Sequence, residues 1–314
     1  MITNIFLGFV PRIERLTESE LSKLLLNEEL HYPRYLEEMT NIILQWSKDD
    51  ISSLLNNNEN NGDFLHFFKD NQYADRLSLS ISISEGNMFT NTRAQYYNEY
   101  GSFGFNKVTN KLTCPNIYLN ISFNKEGKYN EEMLKTSISH ELMHLYDDWK
   151  ALSKGKESIT SDVDLMAAHN MMFQNSDKLL QNIGKLLYLS NKFEKKAFIA
   201  QVYDELKAIG CTDENYREKY KETITYKNYT KLKNVIKQEI TSSSDNELKN
   251  INHVLNTEYK ETHLPKISNN KFDVEIYKNK VNKFIDSVCH DFIKKYGGIL
   301  TAYLNDFKTF NNKI

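Results

Sequence analysis

The chain has 314 residues, 40% hydrophobic and 26% charged, with a formal charge of −2. That composition supports one large core or two ordinary ones, and it excludes a disordered chain, which combines low hydrophobicity with high net charge. The 11 glycines and 4 prolines exclude collagen-like and low-complexity architectures, the near-neutral balance offers no global field for nucleic acid, and no apolar run approaches the roughly 20 residues that span a bilayer.

Met1 to Val10 is briefly apolar but has no basic residue ahead of it and no small-residue cleavage site, so it does not read as a signal peptide. Leu16 to Leu55 predicts two helices. Thr17 and Glu20 form a capping-box pattern ahead of Leu21, Leu24, Leu25 and Leu26, and Met39, Ile42, Ile43 and Trp46 make the second apolar stripe. Asn56 to Gly62 predicts a loop. Leu77 to Ser84 alternates leucine and isoleucine with serine, the period of a strand with one wet face, and in Ile117 to Phe123 apolar residues alternate with Tyr118, Asn120 and Ser122.

After Gly127 the period becomes helical and stays so to the end, with breaks at Thr241 to Asp245 and around Pro265. Val274, Tyr277, Val281, Phe284, Ile285, Val288 and Phe292 then mark a long amphipathic helix. Cys114, Cys211 and Cys289 are too few, too far apart and odd in number for a disulfide framework or a cysteine metal site. The expected location is therefore the reducing cytoplasm.

The stretch that carries chemistry is Ser139-His140-Glu141-Leu142-Met143-His144, a His-Glu-x-x-His pattern. Each helical residue advances about 100°, which leaves His140 and His144 about 40° apart on one face, able to reach a single cation. Zinc accepts imidazole nitrogen at about 2.0–2.1 Å, and catalytic zinc keeps a position open for water. Glu141 flanks that face as the candidate general base. Leu134, Ile138, Leu142, Leu145 and Trp149 form an apolar stripe opposite the histidines, and no Pro or Gly interrupts Asn130 to Leu152. The competing reading is a solvent-facing helix with two ordinary histidines.

Set in such a helix and preceded by an alternating strand, the motif resembles the zincin superfamily of zinc metallopeptidases, over about Leu77 to Leu206. The resemblance implies bound Zn2+, hydrolysis of peptide bonds, and an edge strand that pairs with the substrate backbone; Ile117 to Phe123, with Tyr118 and Asn120, is placed to be that strand. Metzincins carry a third ligand six residues after the second histidine, following a Gly, but Lys150 stands there and no Gly is present.

The thermolysin-like gluzincins take a Glu from a later helix, and Glu194-Lys195-Lys196-Ala197 resembles their Glu-x-x-Ala pattern. Glu194 is thus the implied third ligand, although a solvated first-turn glutamate is the plain alternative, and Glu205, His169 and Asp148 are rivals. The Asp that thermolysin-like enzymes carry four residues later is Phe198 here. Asp147 and Asp148, near the end of the active helix, are candidates to hold a histidine tautomer from behind. Tyr203 is conceivable as an oxyanion donor, with a core role as its plainer reading.

The expected fold class is α+β: a zincin-like catalytic domain over residues 71–210, with a small antiparallel or mixed sheet and the active helix, flanked by helical parts over 1–70 and 211–314. The expected partner is a peptide or protein substrate, with no nucleic acid and no membrane span. A second reading is a structural or interaction protein, for instance a phage virion component, that keeps the fold for architecture. Intact Glu141 argues against it, because a purely architectural descendant has no use for a general base.

Overall fold

A computed structural model describes residues 34–69, 71–86, 93–98, 101–124, 128–211 and 215–288. The segment Met1 to Val10, the capping-box helix at Thr17, Cys289 and the end of the last helix at Phe292 lie outside these residues. The chain begins with helix α1 (Arg34–Asn56) and continues through strands β1 (Asn61–Lys69), β2 (Arg76–Glu85) and β3 (Arg93–Tyr97). The two-residue strands β4 (Phe105–Asn106) and β5 (Lys111–Leu112) precede β6 (Asn116–Phe123). Helices follow: α2 (Glu131–Ser153), α3 (Val163–Gln174), α4 (Lys178–Ser190), α5 (Lys192–Ala208), α6 (Tyr216–Lys219), α7 (Ile224–Ser242) and α8 (Asp245–Thr257). Residues 274–288 are helical as well. The fold is a mixed α and β architecture.

The main sheet is mixed, in the order β1-β2-β6-β3. β1 runs antiparallel to β2, β2 parallel to β6, and β6 antiparallel to β3. Alternation sorts the two faces. Leu77, Leu79, Ile81 and Ile83 of β2 and Ile117, Leu119, Ile121 and Phe123 of β6 are buried on one side. Helices α1 and α2 cover that side, contributing Leu36, Met39, Ile43, Leu134, Ile138, Leu142 and Leu145 to the same core. Ala197 and Ala200 of α5 join that core too, so α5 packs on α2 through small side chains.

The topology corrects the substrate-strand expectation. From Asn116 to Asn120, which includes Tyr118, the strand is not an edge: β2 and β3 occupy both of its hydrogen-bonding sides. Tyr118 is exposed and lies with Asn120 on the sheet face turned away from α2. Among the described residues, β3 is the edge on that side of the sheet, and β1 is the other.

A second core joins α3, α4, α7, α8 and residues 274–288 through Met171, Ile183, Leu187, Ile236, Ile251 and Ile285. The expected division at residues 70 and 71 falls between β1 and β2, which pair along their whole length. That at 210 and 211 falls inside a cluster joining Val202 and Leu206 to Tyr216 and Tyr220. Packing therefore crosses both expected boundaries. The breaks at Ser243 and around Pro265 do separate helices.

Helices α3 and α4 touch at Gly184. A methyl group there would lie 2.6 Å from Met171 Cβ and 3.1 Å from Ala168 O. Gly184→Ala in an exposed helix would gain about 1 kcal/mol in helix propensity, but overpacking of this contact costs about 1–3 kcal/mol. The variant should therefore lose stability in urea denaturation; a gain would show that the two helices can separate without penalty.

Candidate metal centre

Helix α2 is long, uninterrupted and buried almost all round. Asn130 caps its start by accepting a hydrogen bond from the Met133 N–H, and Glu131 and Glu132 sit favourably in its first turn. The apolar stripe faces the sheet, which turns His140 and His144 toward α5. Both are nearly inaccessible, at 6% and 5% exposure. The helix is therefore not the solvent-facing one of the competing reading.

Glu194 stands in the first turn of α5, which Asn191 caps by accepting from the Phe193 N–H. Its carboxylate straddles the two imidazoles. Oε2 lies 3.1 Å from His140 Nε2, and Oε1 lies 3.2 Å from His144 Nε2. The two Nε2 atoms are 3.2 Å apart. Atoms bound tetrahedrally to one ion at about 2.0–2.1 Å are separated by roughly 3.3 Å, so two nitrogens and a carboxylate already stand at the spacing of a shared ion. Among the described residues, His140, His144 and Glu194 are the group of acidic, histidine or cysteine side chains able to hold a metal. Two imidazoles with one carboxylate form a donor set that a divalent cation such as zinc accepts.

Electrostatics follow from this contact. Burial alone would raise the Glu194 carboxyl, but the His144 charge and hydrogen bonds from both imidazoles outweigh it and hold Glu194 well below the usual carboxylate range. Burial would lower His144, yet the charge and hydrogen bond of Glu194, aided by Glu141 and Asp147, raise it to about 9.

Glu141, next along α2, points to β3. Its Oε2 accepts the backbone N–H of Tyr96 at 2.8 Å. In an antiparallel pair each residue turns its N–H and C=O to the same side, alternating along the strand. Since the Tyr96 N–H faces Glu141 rather than β6, Tyr96 and Ala94 present their peptide groups to the outer edge. The free edge of the sheet therefore runs past Glu141.

Asp147 and Asp148 do not hold a histidine. Asp148 is fully buried, and its oxygens accept from the Tyr96 hydroxyl (2.8 Å), Asn98 Nδ2 (2.6 Å), the Ser158 hydroxyl (2.7 Å) and the Ile159 N–H (3.0 Å). It ties β3 and the loop after α2 to α2 itself. Asp147 is 3.3 Å from Lys196 Nζ, and burial raises its carboxyl; its influence on His144 is through charge alone.

The rivals for the third ligand lie elsewhere. Glu205 accepts from the Thr225 N–H and hydroxyl and from Gln201 Nε2, anchoring the start of α7. His169 is exposed beside Phe173 and Tyr188. Tyr203 is a core residue with Val202 and Leu206.

The tyrosine that reaches the site is Tyr188, at the end of α4. Burial, with the charges of the nearby Glu194 and Glu141, raises its hydroxyl well above the usual tyrosine range, so it keeps its proton. No local pattern pointed to it: it precedes Glu194 across the break between α4 and α5.

A metal ion requires neutral imidazoles. Below about pH 9 the metal-free protein carries a proton on His144, so binding must expel it. Divalent-ion affinity should rise about tenfold per pH unit from near pH 6 toward pH 9, with about one proton released per ion. Calorimetry in buffers of different ionisation enthalpy measures that release, and an affinity flat over this range would contradict the assignment of His144. No protein-family model, curated protein or solved structure matches the chain, so the reading of this centre rests on its own geometry.

Proposed function

We propose that the chain is a zinc-dependent peptidase of the zincin type, resembling the gluzincins in taking its third ligand from a later helix. The observation that carries the reading is the convergence of His140, His144 and Glu194 within 3.1–3.2 Å, with Glu141 on the helix that carries the two histidines. A zinc ion held by these three side chains would supply Lewis acidity, polarising a scissile carbonyl and acidifying a water.

The chain's own residues would do the rest. Glu141 is oriented through Oε2 by the Tyr96 amide, which leaves Oε1 to take a proton from the attacking water and pass it to the leaving amine. Tyr188 stays protonated beside Glu194 and can donate to the oxygen on which negative charge develops. The outer edge of β3, through Ala94 and the Tyr96 carbonyl, can pair with an extended peptide and align it along the helix. Strand β3 thus takes the role that sequence alone assigned to β6. Asp148 acts at one remove, holding the Tyr96 ring and Asn98 so that β3 keeps its distance from Glu141.

Glu141→Gln retains a carbonyl oxygen for the Tyr96 amide but cannot take a proton. It should lower kcat by about 10²–10⁴ while leaving metal content unchanged. Tyr188→Phe should lower kcat about a hundredfold with KM nearly constant, since its bond strengthens only as charge develops. A peptide-library digest analysed by mass spectrometry supplies the substrate. Absence of any hydrolysis by metal-loaded wild-type protein would return the architectural reading; wild-type turnover in Glu141→Gln would refute the mechanism.

A further inference from the structure

A cleft beside the metal centre carries a one-sided charge. It has a volume of about 530 Å³ and lies between α4 and α7, over Phe198 and Gln201 of α5. Tyr188 and Phe198 belong to both the cleft and the metal centre. The Phe198 ring packs edge-on against His140 at 4.7 Å and against Tyr229 at 5.7 Å, and Tyr188 is close enough to Glu194 to feel its charge. A group in the cleft is therefore one side chain away from the ligands.

Three lysines line the cleft. Lys178 and Lys185, two turns apart on one face of α4, stand opposite Lys231 of α7. The acid nearby is Glu239, which lies 3.8 Å from Lys178 and accepts from Asn182 Nδ2 at 2.8 Å. Lys185 and Lys231 are exposed and have no ion-pair partner among the described residues. Between them the walls are apolar or aromatic, with Leu189, Leu232 and Val235 beside Tyr229.

A concave site with an apolar body and two unopposed ammonium groups at its rim suits an amphipathic side chain that ends in a negative charge. Lys185 lies one helical turn before Tyr188, and residues three apart on a helix are neighbours, which sets the charge within one or two substrate residues of the reacting bond.

The geometry points to a specificity subsite: the cleft between α4 and α7 takes a peptide carboxylate, held by Lys185 and Lys231, next to the bond that the metal centre cleaves. The inference rests on the peptidase reading for its role, but the binding it requires can be measured without turnover. Two sources supply such a carboxylate, an acidic side chain or the free end of the peptide.

The test uses fluorescein-labelled peptides and the zinc-loaded Glu141→Gln protein, which cannot turn them over. Three are C-terminally amidated and differ only in a central Glu, Gln or Lys, and a fourth has Gln with a free C-terminus. The Glu peptide or the free-ended peptide should bind about tenfold more tightly than the Lys peptide, because each exposed ion pair contributes modestly and two act together. The preference should shrink with added salt. Whichever of the two binds more tightly identifies the source of the carboxylate.

Adding Lys185→Glu and Lys231→Glu should reverse the order. Both sites are exposed, and circular dichroism checks that the fold is kept. Equal binding of all four peptides, no binding at all, or an unchanged order in the double variant would overturn the subsite. If the order reverses as expected yet wild-type protein cleaves nothing, the carboxylate cleft stands and the peptidase reading falls. If wild-type protein cleaves peptides but the order fails to reverse, the reading stands and the subsite falls.

Discussion

A carboxylate cannot be buried between two helices without partners, and the contact of Glu194 with His140 and His144 is the constraint on which this site depends. Moving an ionised carboxylate into a protein interior costs several kcal/mol, and deleting one member of such a buried pair typically costs about 3–5 kcal/mol. Here both carboxylate oxygens face imidazole nitrogens at 3.1–3.2 Å. The attraction outweighs burial, since Glu194 ends below its ordinary range and His144 above its own. The contact also sets the packing of α5 on α2, where Ala197 and Ala200 permit the close approach that brings the Glu194 carboxylate to the histidines.

The sheet enters the site through a second buried carboxylate. Asp148 gathers four donors from β3, from the residue after it, and from the loop that follows α2. Each neutral donor gains a charged acceptor, a class of hydrogen bond worth about 1.5–3 kcal/mol. The result is a rigid frame: α2 holds His140, His144 and Glu141, α5 brings Glu194 to the histidines, and β3 brings a backbone amide to Glu141 together with a free edge. Each of these elements is positioned by buried polar contacts rather than by loops, as a site that must hold sub-ångström geometry requires.

Local patterns revealed the parts of the site that lie on one element. The four-residue spacing of His140 and His144, and the apolar stripe behind them, could be read directly because a helix converts spacing into a shared face. Glu194 was legible only through its likeness to a Glu-x-x-Ala helix; Glu205, equally buried, differs in having its oxygens satisfied by Thr225 and Gln201, which sequence does not show. Strand β6 was legible by alternation, but alternation is the same for a central strand and an edge strand, so its central place between β2 and β3 was not legible. Arg93-Ala94-Gln95-Tyr96-Tyr97 has no alternating pattern over five residues, and the edge it forms was missed. Asp147 and Asp148 are adjacent, and a 100° turn sends one toward Lys196 and the other toward Tyr96; neither meets a histidine ring. Tyr188 and the lysines of the cleft are assembled by the packing of α4 against α5 and α7, which no single stretch of chain encodes.

If α2 and α5 together form one metal centre, equilibrium dialysis against zinc with elemental analysis should find one ion per chain in the wild-type protein, with affinity lowered by about a hundredfold or more in Glu194→Ala while the helical circular dichroism is preserved. A wild-type chain that binds no zinc, or a Glu194→Ala chain that binds it as tightly as wild type, would contradict it.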